Sequence, residues 1–185
     1  MSRFFPITTF GMDILRKETN KIQDVDTDLL ITITKMFDTM RNADGIGMAA
    51  QQINQTLGLT VIDLSQNEGY EKSKPLTLIN PIITDSHGKE LMEEGCLSIP
   101  GIRFDIERPA EIEFKFYDVD MNEHTMEADD LFARVVQHEI DHLHGKLFID
   151  YLGAEQKKEI KELLNDMRNK KVEAHYPLYI HAESY

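Results

Sequence analysis

Val135-Val136-Gln137-His138-Glu139-Ile140-Asp141-His142-Leu143-His144-Gly145 is the stretch on which every other reading of the chain rests. Coiled as an α-helix, it sets His138 and His142 one turn apart on one face, close enough for both imidazoles to hold a single metal ion. Glu139 then overlooks the open side of that ion. A four-coordinate catalytic zinc or iron takes three protein ligands and keeps one position for water, with a carboxylate at hand to move the water's protons. HExxH supplies two ligands and the carboxylate. The competing reading is a surface helix with two histidines in water. Leu131, Val135 and Val136 ahead of the pair and Leu143 behind it oppose that, because the imidazoles then emerge from an apolar stripe. The pattern follows HExxHxxGxxH as far as Gly145 but has Phe148 where the third histidine would stand, so the third ligand comes from elsewhere.

At 185 residues the chain has the size of one domain and can bury a core without staples. We read 1–185 as that domain, with a tail over 172–185. It has no run of eighteen apolar residues, which argues against a membrane span. Met1-Ser2-Arg3-Phe4-Phe5-Pro6-Ile7 lacks the apolar run and small-residue cleavage site of a signal peptide, so the expected location is cytoplasmic. A formal net charge of -13 argues against DNA as a ligand, since duplex binding rests on Lys and Arg neutralising phosphates. Cys96 is the only cysteine, which excludes an intrachain disulfide and fits a reducing compartment. It is an inert core thiol, a nucleophile or a metal ligand.

Outward from the central stretch, Asp129 and Asp130 cap the helix, placed over 131–143. Residues 111–117 alternate Ile112, Phe114 and Phe116 with Glu111, Glu113 and Lys115, a half-buried strand that turns at 118–123 and returns over 125–128. In Glu93-Glu94-Gly95-Cys96-Leu97-Ser98-Ile99-Pro100-Gly101, Pro100 lacks an N–H and Gly101 invites a turn, so Cys96 ends an extended piece. Segments 57–64 and 75–83 read as strands around a polar loop, and Asp85-Ser86-His87-Gly88 as a turn with His87 exposed. Gly45-Ile46-Gly47-Met48-Ala49-Ala50-Gln51-Gln52 leaves the backbone bare on one side, for close approach of a ligand or as a tight connection packed on the core. Leu29, Ile33, Met36, Phe37 and Met40 mark an amphipathic helix that begins at the Asp26 cap and stops at Asn42 to Gly45. At the far end, Ile160, Leu163, Leu164 and Met167 share one face of a helix over 154–168, and Tyr176, Leu178, Tyr179 and Ile180 of the tail should pack on something. His124, His144, His175 and His181 read as exposed or structural. The sum is an α+β fold: mixed, mainly antiparallel sheets around a central HExxH helix, with an N-terminal and a C-terminal helix.

Gly45 to Gln52, Glu94 to Pro100 and Gln137 to Gly145 resemble, in order and spacing, the three motifs of the peptide deformylases: a GxGxAAxQ loop, an EGCLS segment and an HExDH helix. Departures are small. Gln51 fills a variable position, Ile140 replaces a residue that is often aromatic or Met, and Gly11 to Arg16 looks like a degenerate form of the family's opening segment. The resemblance implies a metal-dependent hydrolase that takes the formyl group from the N-terminal formylmethionine of new polypeptides. It implies Cys96 as the third ligand, giving with His138 and His142 an S,N,N site that suits zinc or ferrous iron. One divalent ion per chain is expected, iron(II) in the cell, with zinc or nickel in isolated protein.

The same resemblance assigns Glu139 to take a proton from the metal's water as hydroxide attacks the formyl carbon, and to deliver it to the departing amine. The metal, the Gln52 side-chain amide and the Leu97 backbone N–H would hold the oxyanion. A formylmethionyl nascent peptide would lie along 45–50 as an added strand, with Ile46 and Gly47 giving main-chain hydrogen bonds and Gly95 also in contact. Its methionine would enter a pocket of Ile46, Leu131, Val135 and part of His138, with Arg134 at the rim touching the next residue. The lysine-bearing last helix either makes a transient ribosome contact or, more simply, caps the core.

Overall fold

The computed structural model describes residues 3–179, so the expectations for Ile180 and His181 lie outside the described residues. The first helix, α1 (Thr27–Asn42), starts where Asp26 accepts the Leu29 N–H at 2.8 Å, satisfying one of the orphan donors of the first turn. Its buried face carries Leu29, Ile33, Met36 and Met40, the period read from the sequence.

Five antiparallel strands form the main sheet: β1 (Gly47–Ala49), β2 (Leu59–Ile62), β3 (Leu76–His87), β6 (Glu111–Tyr117) and β7 (Glu123–Asp129), in spatial order β1-β2-β3-β6-β7. A separate hairpin is made of β4 (Glu90–Cys96) and β5 (Ile99–Arg108). Helix α2 (Asp130–Leu143) leaves β7 directly and lays Val135, Val136 and Ile140 against Ile62, Leu78, Ile112 and Phe114 of the sheet. That apolar contact fixes the rotation of α2 and turns its histidines toward the β4–β5 hairpin.

Four local readings need correction. Asp85 to His87 is not a turn: β3 runs on through it, paired Asp85 with Glu113, Ser86 with Ile112 and His87 with Glu111. Both faces of that strand end are in water, so it lacks the alternation by which half-buried strands are read, and the register slips twice along it. The second is β5, where Pro100 and Gly101 do not stop the chain. Pro100 sits in a two-stranded hairpin where a missing N–H is tolerated, and Gly101 takes a φ of +78° that only glycine adopts freely. Third, the helix over 154–168 is two, α3 (Ala154–Glu159) and α4 (Lys161–Arg168), because buried Ile160 departs from helical geometry at φ -90° and ψ 0°. Fourth, Leu163 faces solvent, and the pair docks through Ile160, Leu164 and Met167.

Near its end the chain returns to its beginning. Leu178 pairs in parallel with Ile7, the Ile7 N–H donates to Pro177 O and the Tyr179 N–H to Ile7 O, each at 2.8 Å. Tyr176 and Leu178 are buried in the cluster that holds α1, β1 and β2. Among the described residues no helix is long and apolar enough to cross a membrane.

Candidate active site

Cys96 is the last residue of β4, and His138 and His142 stand one turn apart on α2. Their ligating atoms all lie within 4.8 Å of one another, with Cys96 Sγ 3.3 Å from His142 Nε2. A thiol and two imidazoles at this spacing are a donor set for zinc or ferrous iron.

Behind the histidines lies a buried polar cluster. Glu94 accepts from His138 Nδ1 at 2.9 Å, which leaves the other ring nitrogen for the cysteine side. The same carboxylate is gripped by Arg108 at 2.5 and 3.0 Å and by Arg134 at 2.8 Å. Arg108 reaches on to Asp141 at 2.6 Å, and Tyr151 donates to Asp141 at 2.8 Å. Burial alone would raise the pKa of Glu94, but hydrogen bonds from His138 and Arg108 and their charges outweigh it and hold the carboxyl well below the usual range. Burial likewise lowers the pKa of His138, yet its bonds to Cys96 and Glu94 prevail and carry it well above the ordinary imidazole value. His142 goes the other way, with burial and then the charge of His138 pushing its pKa well down.

Glu139 points into different surroundings. It is 4 % exposed, and its Oε2 has no hydrogen-bond partner among the described residues. Burial raises its pKa to about 7, against the pull of His138. Across from it runs Gly47: a Cβ there would lie 2.5 Å from Glu139 Oε1 and 2.8 Å from Val135 Cγ1, so a bare backbone is required.

Gln52 and Leu97 flank the cysteine. Gln52 Oε1 accepts the Ala49 N–H at 2.8 Å, which turns its amide nitrogen toward Cys96 Sγ, 3.6 Å away. Leu97 lies in the tight turn between β4 and β5, its carbonyl taking the Tyr176 hydroxyl at 2.8 Å. Burial, then the nearby Cys96, pushes the Tyr176 pKa up to about 12, so its hydroxyl stays a donor.

A cavity of about 710 Å³ opens over these groups. All of Ile46, Gly47, Gly95, Leu131, Arg134 and Val135 line it, as do Gln52, Cys96, Leu97, His138 and Glu139. Two of the expected contacts are modified. The Arg134 guanidinium is no free group at the rim: it is buried and committed to Glu94, to Ile106 O at 2.7 Å and to Glu90 O at 2.8 Å. The Ile46 carbonyl already accepts the Asp63 N–H at 3.0 Å. Antiparallel alternation then turns the main-chain groups of Gly47 to the open edge of β1. Glu94, Arg108, Asp141, Tyr151 and Tyr176 were not assigned to the site from the sequence. Glu94 and Asp141 lay within the quoted motifs, whereas Arg108, Tyr151 and Tyr176 had no local signal. Gln51 was likewise passed over. It lies beneath α2, donating to His142 O and to Lys17 O. Of the remaining histidines, His87, His124 and His175 pair with Asp85, Asp118 and Asp44 away from the ligand cluster.

An HExxH helix with a cysteine supplied from a hairpin, in an α+β fold with a bare strand edge beside the carboxylate, has the donor set and proton-carrying group of a metal-dependent hydrolase. The model of the family described as "Polypeptide deformylase" matches residues 4–158. A peptide deformylase of Chlorobium luteolum is 42 % identical over 173 residues, covering 94 % of this chain and 91 % of that one. The crystal structure of a peptide deformylase from Legionella pneumophila superposes with a TM-score of 0.82 at 33 % identity, covering 91 % of this chain and 97 % of the other. That of a peptide deformylase from Synechococcus elongatus in complex with actinonin gives 0.79 at 38 %, covering 92 % and 89 %. The chain belongs to the polypeptide deformylase family, whose members remove the formyl group from N-formylmethionyl peptides.

Proposed function

We propose that this deformylase holds one divalent cation between Cys96, His138 and His142 and uses Glu139 as its proton carrier. The observation that carries the reading is the buried Glu139 carboxyl with an unpartnered oxygen, beside three converging metal-donor atoms. Once bound, the cation supplies a Lewis acid that polarises the formyl carbonyl and makes water acidic enough to lose a proton near neutral pH. Glu139 would take a proton from the attacking water as its oxygen bonds to the formyl carbon, and pass it to the amine nitrogen as the C–N bond breaks, which leaves formate and a free methionyl amine. The Gln52 amide, anchored through its own Oε1, and the Leu97 N–H donate to the oxygen on which charge grows. The peptide lies along β1, at the sheet's edge and paired among the described residues with β2 alone, where Gly47 offers its backbone and Ile46, Leu131 and Val135 surround the methionine side chain.

The reading favours iron(II) in the cell and a reducing, cytoplasmic setting, because a cysteine ligand beside an open cavity is exposed to oxidation. Ribosome contact through α4 has the weaker support. Its Lys161 and Arg168 alternate with Glu162 and Asp166, and the helix is already engaged in packing through Met167. The test is formate release from a formyl-Met peptide by anaerobically purified, iron-loaded protein and by Glu139→Gln. The variant should keep its metal and lose turnover; equal activity removes Glu139 from its role.

A further inference from the structure

Residues 173–176 form one wall of the catalytic cavity, and they lie beyond the part of the chain that the family model matches. Tyr176 in this wall is 8 % exposed, and its hydroxyl reaches 2.8 Å to the carbonyl of Leu97, a partner 79 positions earlier in the chain. We propose that Tyr176 is a positioning residue for catalysis, holding the Cys96–Leu97–Ser98 turn so that the Leu97 N–H stays aimed at the substrate oxygen. The inference rests on the reading of that N–H as an oxyanion donor.

Within the hairpin the turn is held by one rung, Cys96 with Ile99, which the register break between Gly95 and Cys96 separates from the rest of the β4–β5 ladder; Leu97 and Ser98 are the two residues between. The Leu97 N–H itself donates to no acceptor among the described residues. Three restraints therefore fix the turn from outside. Ser98 O accepts the Phe10 N–H at 2.8 Å. The Leu97 side chain covers Gly45, where a Cβ would come 2.7 Å from Leu97 Cδ1. The third restraint is the Tyr176 hydroxyl, the one that acts on the Leu97 main chain itself.

Tyr176 is in turn well placed to serve as an anchor. Its ring is packed in the α1–β1–β2 core, and the parallel pairing of Leu178 with Ile7 fixes the backbone two residues on. An oxyanion donor works because it is oriented before charge develops, so a donor allowed to wander gives up part of its effect without altering substrate binding. Removing the Tyr176 hydroxyl should act on kcat and leave KM nearly unchanged.

The experiment compares three variants, each metal-loaded and checked for metal content, on a formyl-Met tripeptide. Tyr176→Phe keeps the packed ring and removes only the hydroxyl. We expect kcat to fall roughly tenfold, a part of the hundred- to thousandfold that follows outright loss of an oxyanion donor, with KM near that of the parent. Amide hydrogen exchange at Phe10, whose N–H donates to Ser98 O of the turn, should quicken in the same variant, a readout independent of turnover. Tyr179→Phe removes a hydroxyl from the same tail, one that accepts from Asn54 at 3.0 Å, and should change neither quantity. Gln52→Ala separates the two levels of the argument. If Gln52→Ala loses activity while Tyr176→Phe keeps parental kcat and parental exchange at Phe10, the role of Tyr176 is overturned and the oxyanion site stands. If Gln52→Ala also keeps full kcat, the oxyanion reading falls, and the inference falls with it.

Discussion

Glu94 and Glu139 are both buried carboxylates beside His138, yet they behave as opposites. Glu94 faces two guanidiniums and an imidazole N–H, which pull its pKa far down and fix it as a permanent anion. Glu139 faces Val135 and the bare edge of β1, with no hydrogen bond to its Oε2, and its pKa rises to about 7. Identical side chains are thereby divided into a structural anion that orients the His138 imidazole and a group able to exchange protons near neutrality. The difference lies in what each carboxylate is denied: Glu94 has every partner it can use, and Glu139 has been left short.

Stripping any metal should have the largest effect, because Glu94 holds one of the three donors and the proposed proton transfer by Glu139 depends on a bound cation. Chelation should reduce formate release to background, and adding back iron(II) or zinc should restore it. Glu139→Gln comes next, with kcat lower by roughly 10²–10⁴-fold while metal content and melting temperature stay at the parental level. Glu94→Gln should give the reverse pattern. Two buried guanidiniums lose their shared anion, a destabilisation of roughly 3–5 kcal/mol, visible as a fall of roughly 6–20 °C in Tm together with weaker metal retention. If its Tm were unchanged, the cluster would not be the fixed support described here.

Gly47→Ala tests the other side of the comparison by crowding Glu139 with a methyl group. It should cost about 1–3 kcal/mol in stability and lower kcat. The half-exposed Arg16–Asp150 pair sets the lower end of the scale. Burial would raise the Asp150 pKa, but the Arg16 hydrogen bond and the Leu147 N–H bring it below its ordinary 3.8. A depressed carboxylate stabilises the fold above its unfolded pKa, and that contribution drains as pH falls through the folded value. Asp150→Asn should therefore remove a small acid-side loss of stability, below about 4 and worth under about 1 kcal/mol, without touching activity.

The readable parts of the chain were those whose periodicity or spacing is local. The α2 stripe, the α1 face and the strict alternation of β6 all show within a dozen residues. Cys96 could be placed at a strand end from its proline and glycine neighbours, but its meeting with two histidines some forty residues on came only through the family resemblance. The polar end of β3 escaped because neither of its faces is buried, and β5 because Pro100 and Gly101 act as stops in most contexts but are tolerated in a two-stranded hairpin. Arg134 lines the cavity as the sequence suggests, but nothing nearby in sequence shows that Glu94 claims its guanidinium. Tyr176 is the extreme case, since its partner lies 79 positions away and no spacing rule connects them.

The parallel pairing of Ile7 with Leu178 joins a segment made early in translation to one made late. On a ribosome the two cannot meet until the chain has been made and released past Leu178. A newly made copy of this enzyme could therefore bring Cys96, His138 and His142 together before the wall bearing Tyr176 closes behind Leu97.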